Sequence, residues 1–494
     1  MSRGKPIFYS ALLLTLVNLS LRLVGTSFQV YLSGRIGAAG IGLLQLVMSV
    51  GSLSMIAGIA GIRTATMYLT AEELGKQRRQ NVPWVISGCF LYSFLCSGTV
   101  AAILFFSAPV IAEFWIGVPE TAEALRLFAA FLPVCCLCSV MTGYFTAANR
   151  IGTLAAVEVA EQLLSMTITM GALALWGGHS AVKACQCVIF GSSMGSLLTL
   201  TCLAILHHRE RIQPGNAILV RDRLTHTAVP LAIADVLRSG ISTTENLMVP
   251  KRLRLNHGVA DPLASFGLVS GMVFPVMMFP ACILYALAEL LIPELARCNA
   301  AGSQTRIRYL TRRSLKLAML YGLLFAGILF LVAEELCLTL YDSKEAGHYL
   351  RLYASLVPML YCDAITDAMT KGLGQQKICV RYNILTSAMD VAMLYLLLPV
   401  YGMDGYFVSF LISHLVNFLL SLRLLTKITQ QPIQWYIPML AASAALVSVF
   451  LSMSYSSVVG RLISFPALLF SMLYLLRVIR REDIRWLRNL ILCK

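Results

Sequence analysis

The sequence predicts an all-α integral membrane protein of about fourteen transmembrane helices. Three observations carry that expectation. Only 13% of the 494 residues are charged while 58% are hydrophobic, apolar runs of about 20 residues recur from Ile7 to Leu476, and no polar domain interrupts them. A soluble domain carries about 25% charged residues, and a chain of this length could not hide so much apolar surface in one globule. Hydrocarbon offers backbone amides no partners, so spanning elements are helices or closed barrels. Runs this long exclude the short alternating strands of a barrel.

The first run, 7–32, follows Arg3 and Lys5 and so imitates a signal peptide. Its length, the Arg22 inside it and the lack of a small-residue cleavage site read instead as the first span. Further spans are expected at 40–69, 82–108, 122–148, 152–176, 180–206, 227–250, 263–295, 310–333, 348–370, 377–398, 403–427, 433–453 and 459–479. Fourteen crossings put both termini on one side, and lysine and arginine test the count because cytoplasmic connectors are enriched in them. The tails and even-numbered connectors hold 27 of the 39 basic residues, and the opposite side holds eight. Arg22, Arg63, Arg126 and Arg238 fall within helices. Both ends are therefore expected in the cytoplasm of a multi-pass cell-membrane protein. One connector disobeys, placing Lys251, Arg252 and Arg254 outward, either to attract phosphate groups or because neighbouring helices hold them there.

The net charge of +15 is accounted for by these connectors, so nucleic acid is not an expected partner. The fourteen cysteines lie mostly in apolar segments, as in Cys135, Cys136 and Cys138, which reads as buried free thiols rather than metal ligands. No cofactor or metal is expected. There is also no nucleophile motif or phosphate-cradling glycine loop, which speaks against an enzyme.

Internal repetition is the next signal. Tyr68–Arg79 after the second span matches Pro293–Gly302 with Arg306 and Arg308 after the eighth, and Gly143–Arg150 after the fourth matches Met369–Lys377 after the tenth. The common offset of six helices predicts two six-helix lobes and a C-terminal pair. The divisions are 1–208 (N-lobe), 209–226 (basic cytoplasmic linker), 227–428 (C-lobe) and 429–494 (two more spans and a basic tail).

Charged groups at membrane depth each cost about 2.5 to 3.5 kcal/mol and must face protein or water. In the seventh span Asp235, Arg238, Ser242 and Glu245, with Asn246 beside them, share one helix face, which marks a wet substrate cavity. Either Asp235 and Arg238 neutralise each other, or Arg238 is available to a phosphate. In the first span Asn18, Arg22 and Gln29 lie on about one face, and under the repeat Arg22 would oppose Arg238 across the axis. Glu158, Glu161, Gln162, Ser165 and Thr169 form a stripe on the fifth span. Asp363, Asp367 and Asp390 are further candidates for coupling to H+ or Na+. Glu289 and Glu294 are expected to border cytoplasm and pair with Arg297, and Pro230, Pro275, Pro280 and Pro293 to bend the seventh and eighth spans.

The stretches Leu247–Leu253, Phe266–Gly271, Phe279–Pro280, Leu291–Leu295, Gly143–Arg150 and Gly61–Ala65 resemble the stage V sporulation protein B branch of the multidrug/oligosaccharidyl-lipid/polysaccharide (MOP) exporter superfamily, related to lipid II flippases. The resemblance implies a V-shaped, alternating-access transporter. Its implied cargo is a lipid-linked oligosaccharide or peptidoglycan precursor, moved outward for cell-wall or spore cortex synthesis. Membrane lipids and cell-wall synthesis enzymes are the implied partners. Such flippases line their cavity with several arginines, whereas here only Arg22 and Arg238 lie well inside the bilayer. A cation-coupled multidrug exporter of the same superfamily is the competing expectation.

Overall fold

Where this chain leaves the helical ladder, glycine, proline or a short polar turn accounts for most of the breaks. The computed structural model describes residues 4–177, 180–210, 221–431 and 436–479; the side chains of residues 4–18, and several near the start of the seventh helix, lie outside the described residues. Asn18 is among them. The helices are α1 Gly4–Ile59, α2 Ile62–Gly75, α3 Val82–Val110, α4 Thr121–Ala147, α5 Ile151–Ala172, α6 Ala181–His208, α7 Arg221–Leu253, α8 Pro262–Gly267, α9 Phe274–Met278, α10 Ala281–Ala300, α11 Gln304–Tyr341, α12 Lys344–Ala354, α13 Val357–Gly372, α14 Gln376–Thr429, α15 Tyr436–Ser452 and α16 Val458–Leu475. Wider π turns continue α3 over 111–116 and α5 over 173–177, and link α8 to α9 over 268–273. No strand occurs among the described residues.

By length and hydropathy alone, eight of the described helical stretches can cross a bilayer, or nine when Pro262–Met278 and Ala281–Ala300, bent by 63°, count as one span. Pro275 opens α9 and Pro280 caps α10, so the bend falls where two missing or displaced amide donors weaken the ladder. Two rods contain one non-helical residue each: Gly37 in α1 (φ 68°) and Gly402 in α14 (φ 56°). At Gly402 the chain reverses. Ser409 bonds back to Asp390, and Thr386 reaches Asn417, so 376–401 and 403–429 run antiparallel with a single glycine at the turn. The expected second span also contains a break, because Ala60 and Gly61 both adopt positive φ (45° and 72°). After it α2 runs past the expected end at residue 69 as far as Gly75.

Two compact units emerge, Met1–Gly271 with Val391–Gly405, and Met272–Asp390 with Tyr406–Lys494. This division follows packing, whereas the expected boundaries at 208, 227 and 428 follow the sequence repeat; residues 211–220 of the expected linker lie outside the described residues. The first unit buries Ile62, Leu69, Val85, Tyr144, Phe145 and Leu203 together, and Leu224 and Ala228 of α7 join this core. In the second unit α15 and α16 bury Ala441, Ala444, Phe465 and Leu469 against Leu331 and Val332 of α11. The Phe465 ring occupies the notch left by Gly327, where a Cβ would come within 2.0 Å of it.

One such close approach recurs at an equivalent position in each unit. A Cβ on Gly143 would stand 2.6 Å from the carbonyl oxygen of Arg63, and one on Gly372 would stand 2.8 Å from that of Ile292. Gly143 and Gly372 are 229 positions apart, and so are Arg63 and Ile292. Two unrelated helix crossings would not share both ends of one offset, so the repeat seen as sequence matches extends to backbone packing.

Substituting either glycine must push the crossing apart, an overpacking change that costs about 1 to 3 kcal/mol. Gly143→Val and Gly372→Val are each expected to lower the melting temperature of the detergent-solubilised protein by several degrees. Gly152→Ala, with nothing within 4 Å of the new Cβ, should leave it unchanged or slightly raised. A thermal melt followed by tryptophan fluorescence checks all three.

Candidate functional site

Three sides of α7 do different things. Ser239, Thr243 and Leu247 are buried, Ile233 and Leu237 are exposed apolar groups, and between these sides Asp235, Arg238 and Ser242 are exposed. Thr243 donates from its hydroxyl to the Ser49 carbonyl at 3.1 Å, and the Asn246 amide donates to the Ser49 hydroxyl at 3.0 Å. Asn246 therefore turns toward α1, and Glu245 beside it is half-buried. Among the described residues no ion pair joins Asp235 to Arg238, so mutual neutralisation does not describe this face.

Arg22 on α1 is also exposed. One turn further on, Gly25 lies beside the Gln162 amide of α5, whose Nε2 is 3.9 Å from the position a Cβ would take. Gln29 donates to the Gly271 carbonyl at 2.7 Å. The polar face of α1 is thus brought to α5 and to the start of the eighth span. On α5 the Glu161 carboxylate accepts hydrogen bonds from Ser196 (3.0 Å) and Thr199 (2.7 Å) of α6. Glu158 lies in the electrostatic field of Arg63 and Glu161.

The second unit repeats the arrangement of carboxylate and hydroxyl. Buried Asp390 accepts a 2.5 Å hydrogen bond from Ser409 on the returning arm of α14, and His414 lies within its field. Glu161 and Asp390 are themselves 229 positions apart, each an acid held by a hydroxyl of the next helical segment. Asp363 forms a separate chain: Asn417 donates to both its oxygens at 3.1 and 3.4 Å, and Thr386 donates to the Asn417 carbonyl oxygen at 3.4 Å. Asp367 belongs to neither group, since Lys371 one turn on holds it at 2.5 Å. Among the described residues no three His, Cys, Asp or Glu side chains gather as a metal site. A coupling cation at either acid would therefore draw on hydroxyl and carbonyl oxygens too.

A cavity of about 450 Å³ opens in the second unit between α11, α13, α14 and α15. Met319, Leu323, Phe418 and Leu422 line its apolar length, and Arg312 and Lys316 line it near the start of α11. The sequence did not reveal this cavity because its walls come from four separate segments of ordinary apolar composition.

The basic connectors have partners that were also not legible. Arg223, at the start of α7, bonds Glu73 at 2.9 Å and Glu72 at 2.5 Å, while Asn81 donates to the other oxygen of Glu73. The Glu73 bond leads in holding the Arg223 guanidinium above its usual pKa. Arg150 pairs with Glu210 at 2.7 Å. Glu294 pairs with Arg306 at 3.1 Å rather than with Arg297, because the turn after α10 carries the start of α11 back alongside.

Two family models match the chain: that of the polysaccharide biosynthesis proteins over residues 8–248 and that named MatE over residues 230–396. Stage V sporulation protein B of Bacillus subtilis (strain 168) is 20% identical over 502 residues, covering 96% of each chain. Among solved structures, an inward closed conformation of the lipid II flippase MurJ matches with a TM-score of 0.70 at 12% identity, covering 97% of this chain and all of that one. An inward-facing multidrug resistance MATE family transporter matches with a TM-score of 0.68 at 14% identity, covering 85% of this chain and all of that one. At such identities the structural matches speak for the fold.

Glu73 is almost wholly buried, so removing Arg223 would leave a carboxylate short of a partner. Arg223→Ala is expected to cost about 1 to 3 kcal/mol. Lys76→Ala, which deletes an exposed partner of Glu72 one turn away, should cost less than about 0.5 kcal/mol. Comparing the two melting temperatures at equal ionic strength checks the order.

Proposed function

We propose that this chain is a membrane transporter of the MOP exporter superfamily and, within it, a flippase for an undecaprenyl-pyrophosphate-linked oligosaccharide or peptidoglycan precursor. It carries the cargo from the inner to the outer leaflet by alternating access, in cell-wall or spore cortex synthesis. The observation that carries this reading is the exposed ionic face of α7, with Arg238 unpaired to its neighbour Asp235 and Arg22 exposed on α1. A guanidinium forms bidentate, charge-assisted hydrogen bonds to a pyrophosphate, and a sugar-phosphate head crossing hydrocarbon needs such replacement for its water. The apolar cavity with Arg312 and Lys316 supports the same reading, since it suits an isoprenoid tail beside an acidic head. What the names of Stage V sporulation protein B and MurJ say of those proteins points the same way. In this topology both termini lie in the cytoplasm of the plasma membrane, the lobes divide near 208–227 and 428, and cell-wall synthesis enzymes supply and consume the cargo.

A second reading, a cation-coupled multidrug exporter, draws on Glu161 and Asp390. Two equivalent acids, each held by one or two hydroxyls, suit proton or Na+ exchange, and the same pair could drive a flippase.

Reconstituted vesicles containing fluorescent lipid II separate the two. Arg22→Ala and Arg238→Ala are each expected to slow flipping about tenfold or more, the loss of one charge-assisted contact, with unchanged melting temperature. Normal flipping by both variants removes the arginine role. Export of cationic drugs without any lipid flipping would favour the second reading. Asp390→Asn is expected to abolish the response of transport to an imposed H+ or Na+ gradient, measured in the same vesicles.

A further inference from the structure

The three basic residues that break the charge pattern at the C-terminal end of α7 do not sit on carboxylates. Among the described residues none of Lys251, Arg252 and Arg254 belongs to an ion pair. Lys251 and Arg254 lie against the end of the α3 segment, and Arg252 bonds a carbonyl within α14. Lys251 donates to the Phe114 carbonyl at 3.4 Å. Phe114 lies in the last turn before Gly117, where carbonyls lose their helical donors. Both terminal nitrogens of Arg254 stand 3.0 Å from where a Cβ on Gly117 would be, and Gly117 has φ 82°. Only glycine meets both demands.

Arg252 grips the other partner, the segment 391–405 that is counted with the first unit. Its Nε and Nη2 donate to the Tyr395 carbonyl at 3.2 and 2.8 Å, and its guanidinium lies 3.5 Å from the centre of the Tyr395 ring. That carbonyl is orphaned by sequence: its helical donor would be the amide of residue 399, which is proline. One turn on, Asn256 donates to the Pro399 carbonyl at 3.1 Å, just before the break at Gly402. The cations also lie where the helix dipoles are negative.

We propose that Lys251, Arg252 and Arg254 form a two-sided latch. Arg252, with Asn256, holds the tip of α14 permanently to α7, and Lys251 with Arg254 grips the end of α3 releasably. The asymmetry lies in the contacts. Arg252 has two hydrogen bonds to one carbonyl and a ring under its guanidinium, whereas Lys251 has a single long bond. Release of the α3 grip frees the end of the spans that the charge pattern places outward. A cation there satisfies the gripped α3 end and can also leave it for water. The purpose rests on the transport reading, but the latch itself does not depend on the cargo.

Hydrogen–deuterium exchange on the full-length protein in phosphatidylcholine–phosphatidylglycerol nanodiscs tests it without cargo. The double variant Lys251→Ala/Arg254→Ala is expected to raise exchange over 111–120 about five-fold or more while leaving 391–402 at the wild-type rate. Arg252→Ala should do the reverse. The charge-retaining Lys251→Arg/Arg254→Lys, which should fold if any variant does, is expected to exchange as wild type. Wild-type exchange over 111–120 in the double variant, or a rise in both segments together from either change, would show a single rigid brace and overturn the proposal. So would charge-retaining variants that exchange like the alanine ones. Failure of flipping by Arg22 and Arg238 variants has no bearing on this outcome, so the two readings can fail separately.

Discussion

A polar group carried into hydrocarbon has to bring its hydrogen-bond partner with it, and much of this structure follows from that rule. Helices satisfy the backbone. What remains are helix ends, proline positions and buried acids, and each that matters here is met by a side chain from another segment. Ser196 and Thr199 satisfy Glu161, Ser409 satisfies Asp390, Asn417 satisfies Asp363, and Arg252 replaces the amide that Pro399 lacks. The polar chemistry of the molecule is therefore distributed as pairs between neighbouring helices. A residue such as Arg238, outside any such pairing with Asp235, is conspicuous for that reason.

Close backbone approach is the second organising feature. Without a hydrophobic force between lipid-embedded helices, packing relies on small residues that let main chains touch. Gly143 on Arg63, Gly372 on Ile292 and Gly267 on Ala38 and Gly42 are such contacts. The first two recur at one offset of 229 positions, which Glu161 and Asp390 also share, although the hydroxyls that hold these acids come from positions that do not match.

Fold class was legible because hydropathy is a property of long segments, and averaging over about 20 residues removes local ambiguity. The helix ends were unevenly so: the break at Gly402 falls between the expected spans 377–398 and 403–427, whereas the break at Ala60 and Gly61 lies inside what read as one continuous span, 40–69. On α7 the shared exposure of Asp235, Arg238 and Ser242 was readable from spacing, since residues three and four apart align, whereas the turn of Asn246 toward α1 was not. Nor were the partners of the polar groups. Ser49 has no distinguishing composition, and the Ser196–Thr199 contact to Glu161 joins residues 35 and 38 positions apart. Asp367 and Asp363 looked equivalent in sequence, yet Lys371 claims the first and Asn417 the second. Likewise Glu294 found Arg306 where the nearer Arg297 had been expected, because the turn after α10 decides which basic residue returns to it.

The single-glycine reversal at Gly402 has a consequence for biogenesis. Its two arms are joined by a connector of a few residues whose one charged group is Asp404, so little polar chain has to cross the bilayer when this part of the chain is made. The arms can enter as a preformed helical hairpin, already pairing Asp390 with Ser409 and Asn417 with Thr386 on the way in. A carboxylate that would resist entry on a solitary helix is thereby solvated by its own sister strand of helix before it meets lipid, and the turn's brevity keeps the two arms in register throughout.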